Sequence, residues 1–80
     1  HVELTTLIIP GENDSVEEMN EITEWIAGLE KEFGKEIPFH ISRFFPRSSY
    51  SDRNPTDIAV MKRLYEIAAG RLSNVYLGNC

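Results

Sequence analysis

Few side chains in this 80-residue sequence combine the type and the spacing that chemistry requires. His40 is a candidate base or ligand, but no second His, Cys or acid stands at metal-ligand spacing from it, so a packed or water-bonded histidine is the more common interpretation. Arg43 could hold a carboxylate by a bidentate pair, although a surface ion pair is an equally ordinary role. Cys80 is the single cysteine and cannot close an intrachain disulfide or complete a zinc site. We therefore predict no metal site within this chain.

The segment Pro10-Gly11-Glu12-Asn13-Asp14 is a candidate ligand-binding turn. It lacks both G-x-x-x-x-G-K and G-x-G-x-x-G, so it is not a phosphate loop. In the ordinary interpretation it joins a strand to a helix, with a positive φ at Gly11 and capping by Asn13 and Asp14. In the functional interpretation Gly11 leaves out a side chain so that a flat ligand can approach the backbone, with Ile9 against its face.

Composition excludes several classes of protein. Leu, Ile, Val and Phe make up 22 of 80 residues, which is above the range typical of disorder. The net charge of −5 argues against nucleic acid, because binding to phosphates depends on Lys and Arg. No apolar stretch approaches the roughly 20 residues of a membrane span, and the first residues are not a signal peptide. We expect a cytoplasmic protein that contacts no membrane, and a start at His1 directly before a strand is typical of a part of a larger protein.

Hydrophobic patterning predicts three strands and two helices. We expect the strands at about 2–9, 37–42 and 74–77. The first helix is expected at about 16–33, with a capping box from Ser15 to Glu18 and an end at Gly34. The second is expected at about 57–69. The inner stripes of the two helices are Met19, Ile22, Ile26, Leu29 and Phe33, and Ile58, Met61, Leu64, Tyr65 and Ala68.

The order β-α-β-α-β predicts an α/β fold with three parallel strands and both helices on one face of the sheet. In the second strand Phe39 and Ile41 alternate with His40 and Ser42, so the polar pair lies on the face without helices. Because a buried parallel strand is usually apolar on both faces, a polar inner face indicates a ligand cavity, like the inside of an open α/β barrel. Chemistry in such folds gathers at the carboxyl ends of the strands.

Three segments together carry a resemblance to a known family. They are Thr5 to Ser15 (TTLIIPGENDS), His40 to Pro46 (HISRFFP) and Asn74 to Asn79 (NVYLGN). In order and spacing they resemble the carboxyl-terminal part of a radical SAM enzyme related to the pyruvate formate-lyase activating enzyme, especially the AmmeMemoRadiSam-system branch. The resemblance implies the last three strands of a partial (β/α)6 TIM-like barrel.

The resemblance also implies an activity. Such enzymes use a [4Fe-4S] cluster to cleave S-adenosylmethionine reductively, which gives a 5′-deoxyadenosyl radical that abstracts hydrogen. The family's fifth-strand signature, G-x-I-x-G-x-x-E, contacts the adenine, and Ile9, Gly11 and Asp14 match its later positions, with Leu7 at the place of the first Gly. The implied cofactor-binding residues are Ile9, Pro10, Gly11, Asp14, Arg43 and Phe45, and the implied substrate wall is His40 and Ser42.

The cysteine motif of the family, C-x-x-x-C-x-x-C, belongs to the first half of the barrel and is absent here. The resemblance therefore implies that the chain is part of an enzyme and is not active alone. Within the parent enzyme it would bind S-adenosylmethionine. Whether the substrate is a protein stays open. Two alternatives remain: a non-catalytic α/β module that binds a protein partner through its open sheet face, and a fragment of another TIM-like barrel. We expect the isolated chain to self-associate.

Overall fold

A computed structural model describes residues 2–45 and 55–78 of the chain. Its elements run in the predicted order and are β1 (Leu4–Ile8), α1 (Val16–Phe33), β2 (Phe39–Arg43), α2 (Ile58–Ala69) and β3 (Val75–Gly78). The three strands pair in parallel in the order β1-β2-β3. The prediction of an α/β fold with three parallel strands and two helices is confirmed. Pro46, Arg47, Arg53 and Cys80 lie outside the described residues.

The strands β1 and β2 are shorter than predicted, whereas β3 has the predicted length and begins one residue later. Pro38 has no N–H, and β2 begins at the residue after it, while the carbonyl of Pro38 accepts from the Leu4 amide at 3.0 Å. At the other end the pairing of β1 with β2 stops after Ile8, because the hydroxyl of Thr56 donates to the carbonyl of Ile8 and accepts from the amide of Phe44 at 3.3 Å. These two backbone groups would otherwise form the next hydrogen bond of the parallel ladder.

Helix α1 begins and ends where the sequence predicts. Ser15 is the N-cap residue, and its hydroxyl accepts from the Glu18 amide at 3.1 Å. The same hydroxyl donates to the Glu18 carboxylate at 3.1 Å, so the two side chains are paired as well. Gly34 ends the helix in the left-handed region, with φ 66°, and its amide donates to the carbonyl of Glu30.

The core lies between one face of the sheet and the two helices. Its largest buried apolar side chains are Ile8, Ile26, Phe39, Ile41, Met61 and Leu64. Two residues of the predicted stripes are not part of it, because Phe33 is 65% exposed and Ile58 is 50% exposed. Phe33 is the last residue of α1, whose 18 residues are about 27 Å long, whereas a five-residue strand is about 17 Å long, so the sheet does not extend under the whole helix. Ile58 is the first residue of α2.

The opposite face of the sheet carries two rows of side chains. The register places Thr5, His40 and Tyr76 in one row, and Leu7, Ser42 and Gly78 in the next. We call these six residues the open face. Thr5, Leu7 and Tyr76 are exposed, and His40 and Ser42 are half-buried. The predicted alternation of β2 is therefore correct: Phe39 and Ile41 are fully buried on the helix side.

The isolated chain is expected to self-associate, and more strongly as salt is added. Leu7 and Tyr76 leave apolar surface on the open face, and the outer edges of β1 and β3 offer backbone groups to other strands. The acidic side chains that oppose association act through solvent, which about 0.1 M salt screens beyond about 10 Å. Sedimentation equilibrium at several salt concentrations measures this effect.

The substitution Leu7→Lys should reduce this association, whereas Ile58→Lys, which removes an exposed apolar side chain away from the open face, should not. A monomer at high protein concentration in both low and high salt would contradict the prediction.

Candidate functional site

The carboxyl ends of β1 and β2 form one edge of the sheet. Ile8 is in register with Arg43, so the residues that follow each of them, Ile9 to Gly11 and Phe44 to Phe45, leave the sheet side by side. The structure thus brings the predicted residues of the first and second motifs to the same edge. Gly78, at the end of β3, is in register with Ser42 beside them.

The turn after β1 is held by its own backbone and by Asn13. The carbonyl of Ile9 accepts from the amides of Glu12 at 3.0 Å and Asn13 at 3.3 Å. The Asn13 side chain accepts from the Ile9 amide and donates to the carbonyl of Leu7 at 2.8 Å. Asn13 therefore fastens the strand end to the turn; the prediction that it caps α1 is wrong, because the N-cap is Ser15.

Gly11 lies at the tip of this turn with φ 78°, as predicted. A Cβ atom added there would meet no atom within 4 Å, so the space beside the Gly11 backbone is open. Pro10 and Ile9 before it are half-buried, and Asp14, which is also half-buried, comes directly before the N-cap. A flat molecule could thus approach the backbone of this turn from solvent without displacing a side chain.

Thr56 joins the ends of the first two strands and was not predicted as a site residue. It is 1% exposed, and its hydroxyl donates to the carbonyl of Ile8 and accepts from the amide of Phe44 at 3.3 Å. Its own amide donates to the carbonyl of Phe44 at 3.1 Å. Thr56 directly precedes Asp57, the N-cap of α2, so these contacts also hold the start of α2 at the same edge as the turn of Gly11.

Arg43 is occupied by its own surroundings. Its Nε donates to the carbonyl of Thr56 at 2.6 Å, and its guanidinium carbon lies 4.7 Å from the centre of the Phe45 ring. This arrangement differs from the surface ion pair considered for it, and it brings together two of the predicted cofactor-binding residues. Phe45 is 49% exposed, so it lies against Arg43 at the surface instead of filling the core.

On the open face His40 has partners that sequence reasoning missed. Its Nε2 lies 2.6 Å from Oε1 of Glu3, and its ring is stacked with that of Tyr76, with 5.1 Å between the ring centroids and 24° between the planes. Ser42 lies next to Gly78, where a built Cβ would be 3.3 Å from the Ser42 hydroxyl oxygen. Alternation along the strands could have placed Glu3 and Tyr76 on the same face as His40. Only the pairing register shows that they lie next to it.

Residues 2–45 and 55–78 contain neither a group of metal-binding side chains nor a helix that could span a membrane. No three or more His, Cys, Asp or Glu side chains there are grouped so that they could hold a metal ion. None of the helices in these ranges has the length and apolar character needed to cross a membrane.

Comparison with known proteins gives one informative similarity. No family model and no solved structure matches the chain. Over 79 residues the chain is 35% identical to the uncharacterized protein MJ0808 of Methanocaldococcus jannaschii. The alignment covers 98% of this chain but 23% of that protein, so the chain is similar, almost from end to end, to about a quarter of a longer protein.

Proposed function

We propose that this chain is the carboxyl-terminal part of a cytoplasmic radical SAM activating-type enzyme, related to the pyruvate formate-lyase activating enzyme, and forms the last three strands of a partial (β/α)6 barrel. The observation that carries the proposal is the shared sheet edge, where the turn of Gly11 lies beside Arg43 and Phe45. Parallel α/β folds bind their ligands at this edge, outside the carboxyl ends of the strands.

The turn of Gly11 suits the adenine of S-adenosylmethionine. A purine ring is flat and apolar on its faces, and the edge offers Ile9 as an apolar contact and the open backbone of Gly11 as a polar one. Pro10 and Asp14 lie on either side of this backbone. Arg43 and Phe45 form the neighbouring wall, where a planar guanidinium over an aromatic ring offers both stacking surface and hydrogen-bond donors.

The residues of this chain cannot hold the [4Fe-4S] cluster of the family. A [4Fe-4S] cluster needs several cysteine thiolates, and the sequence has only Cys80. Its ligands would therefore belong to another part of the longer enzyme. The residues of this chain bind and orient: the Gly11 turn holds the cofactor, and His40 and Ser42 on the open face line the substrate cavity.

A groove on the outer side of α1 supports placement within a longer βα array. Its lining includes the apolar side chains of Ile8, Ile22 and Trp25 and the carboxylates of Glu18 and Glu21, and Trp25 is 57% exposed. In a parallel barrel a preceding βα unit pairs with the edge of β1 and packs its helix against α1, which would cover these side chains. The longer protein that matches this chain has ample sequence for such units, since 77% of it lies outside the alignment, the complement of the 23% that is covered.

The second candidate function is a module that binds a protein partner through the open face. The observation that favours it is the exposed apolar surface of Leu7 (42% exposed) and Tyr76 (49% exposed). In this case the edge at Gly11 would bind no cofactor. The two candidates therefore differ in a measurable property, the affinity for S-adenosylmethionine.

The experiment compares the 80-residue chain with the longer protein that contains it after both are incubated anaerobically with iron and sulfide. We expect the isolated chain to stay colourless, because one thiolate cannot hold a cluster. The longer protein should turn brown, bind S-adenosylmethionine and release 5′-deoxyadenosine when dithionite is added. Chromatography of the small molecules measures the product. A longer protein that gains no cluster and binds no S-adenosylmethionine would refute the proposal and favour the binding module.

A further inference from the structure

His40 and Tyr76 lie in the row of the open face that is farther from the carboxyl edge, and Glu3, directly before β1, contacts His40 there. His40 is held in two ways: by the 2.6 Å contact of its Nε2 with the Glu3 carboxylate, and by the stacked ring of Tyr76 at 5.1 Å. Glu3 and His40 are 37 residues apart in the sequence, so this contact depends on strand pairing. The imidazole is therefore fixed in both position and plane by side chains from two other segments of the chain.

The contact with Glu3 determines which ring nitrogen of His40 carries a proton. An ionised carboxylate only accepts hydrogen bonds, so Nε2 must be the donor. In the neutral ring Nδ1 then holds the lone pair and is the basic atom. A carboxylate that fixes a histidine in this way also stabilises the imidazolium that forms when the ring takes up a proton.

The position of the pair leaves it accessible. The side chains of His40 and Glu3 are 35% and 44% exposed. They share their face with Ser42, whose hydroxyl group can bind a polar ligand. A histidine needed only for packing would be buried in the core, whereas this one lies opposite the core, on the side that the proposed barrel would enclose.

We propose that His40 is a proton acceptor for a substrate that presents an O–H or N–H group to the open face, and that Glu3 is its positioning residue. In this step the X–H bond of the substrate breaks, the proton moves to Nδ1 of His40 and the electron pair remains on X. The carboxylate of Glu3 balances the charge of the resulting imidazolium. This role of His40 adds a proton-transfer step to the proposed function, and it rests on that function only for which overall reaction the step belongs to.

The test uses diethyl pyrocarbonate, which acylates the unprotonated nitrogen of an imidazole, on the 80-residue chain. We expect Nδ1 of His40 to react at about pH 8, a pH chosen so that proton occupancy of the ring does not limit the rate. At this pH Glu3→Gln should lower the rate by roughly three- to tenfold, because the neutral amide no longer polarises the ring. Glu3→Asp, which keeps the charge, should recover part of the rate. Thr5→Val is the matched control in the same row and should leave it unchanged. Mass spectrometry measures the rate, and ¹⁵N NMR of the ring identifies the modified nitrogen.

Two results would overturn the inference. The first is a His40 that stays unmodified in the folded chain, because its Nδ1 would then be inaccessible. The second is an equal rate in the chain and in Glu3→Gln, because Glu3 would then be a surface ion pair without influence on the ring. Neither result depends on S-adenosylmethionine, so failure of the proposed function, seen as a longer protein that binds no cofactor, is distinguishable from failure of this inference.

Discussion

Replacement of Thr56 by valine is expected to lower the free energy of unfolding by about 2–3 kcal/mol. Valine has nearly the shape of threonine, so the change removes the hydroxyl and keeps the packing. The carbonyl of Ile8 then loses a donor and the amide of Phe44 loses an acceptor, at a position that is 1% exposed. Buried backbone groups left without partners carry most of this cost.

The matched control for this prediction is Thr5→Val. Thr5 lies in the middle of β1 and is exposed on the open face, so its substitution should change stability by less than about 0.5 kcal/mol. Urea unfolding followed by circular dichroism, at one protein concentration low enough to limit association, measures both variants. Equal midpoints for the two variants would show that the hydroxyl of Thr56 does not join the strand ends in solution.

The second large effect is expected for Ile9→Asp in the proposed longer enzyme, whose proposed affinity for S-adenosylmethionine should fall by about tenfold to a hundredfold. The reason is that a carboxylate would be placed against the apolar face of the adenine, where desolvation of a charge is unfavourable. Ile9 is half-buried at the turn and follows the last residue of β1. Isothermal titration calorimetry with the cofactor measures the loss.

Two further variants separate binding from folding in this experiment. Ile9→Val keeps an apolar side chain and should bind nearly as well as the unchanged protein. Ile58→Asp adds the same charge at a position that is 50% exposed and belongs to the start of α2, so it should not alter affinity. An Ile9→Asp protein that is folded and binds the cofactor normally would show that Ile9 serves the core alone.

The bounds of α1 were predictable because they depend on neighbours in the sequence. Ser15 and Glu18 are three residues apart, and Gly34 adopts its left-handed conformation next to the last helical residue. The alternation of β2 was predictable for the same reason, since period-two patterning lies within five residues. The choice of a parallel sheet followed from the length of the helical connections.

The partners of Thr56 and Asn13 were not predictable from local pattern. Thr56 precedes a helix start, and nothing near it in the sequence indicates that its hydroxyl binds a carbonyl 48 residues away. Asn13 has the residue type of a helix cap, but its side chain is used by the amide of Ile9 and the carbonyl of Leu7. Both residues form hydrogen bonds with backbone groups at the end of β1. Those backbone groups would otherwise lack a partner only in the folded chain, where the strand ends at this point.

The sequence by itself determined the order of the elements, the inner face of each and the residues that lie at the carboxyl edge. Those features follow from side-chain periodicity and from hydrogen bonds within one helical turn. The tertiary structure decided that Glu3 and Tyr76 flank His40 and that Phe33, at the end of α1, stays exposed. These outcomes depend on the pairing register of strands more than 30 residues apart and on the short reach of the sheet beneath the helices, which are properties of the packed chain and not of any segment of it.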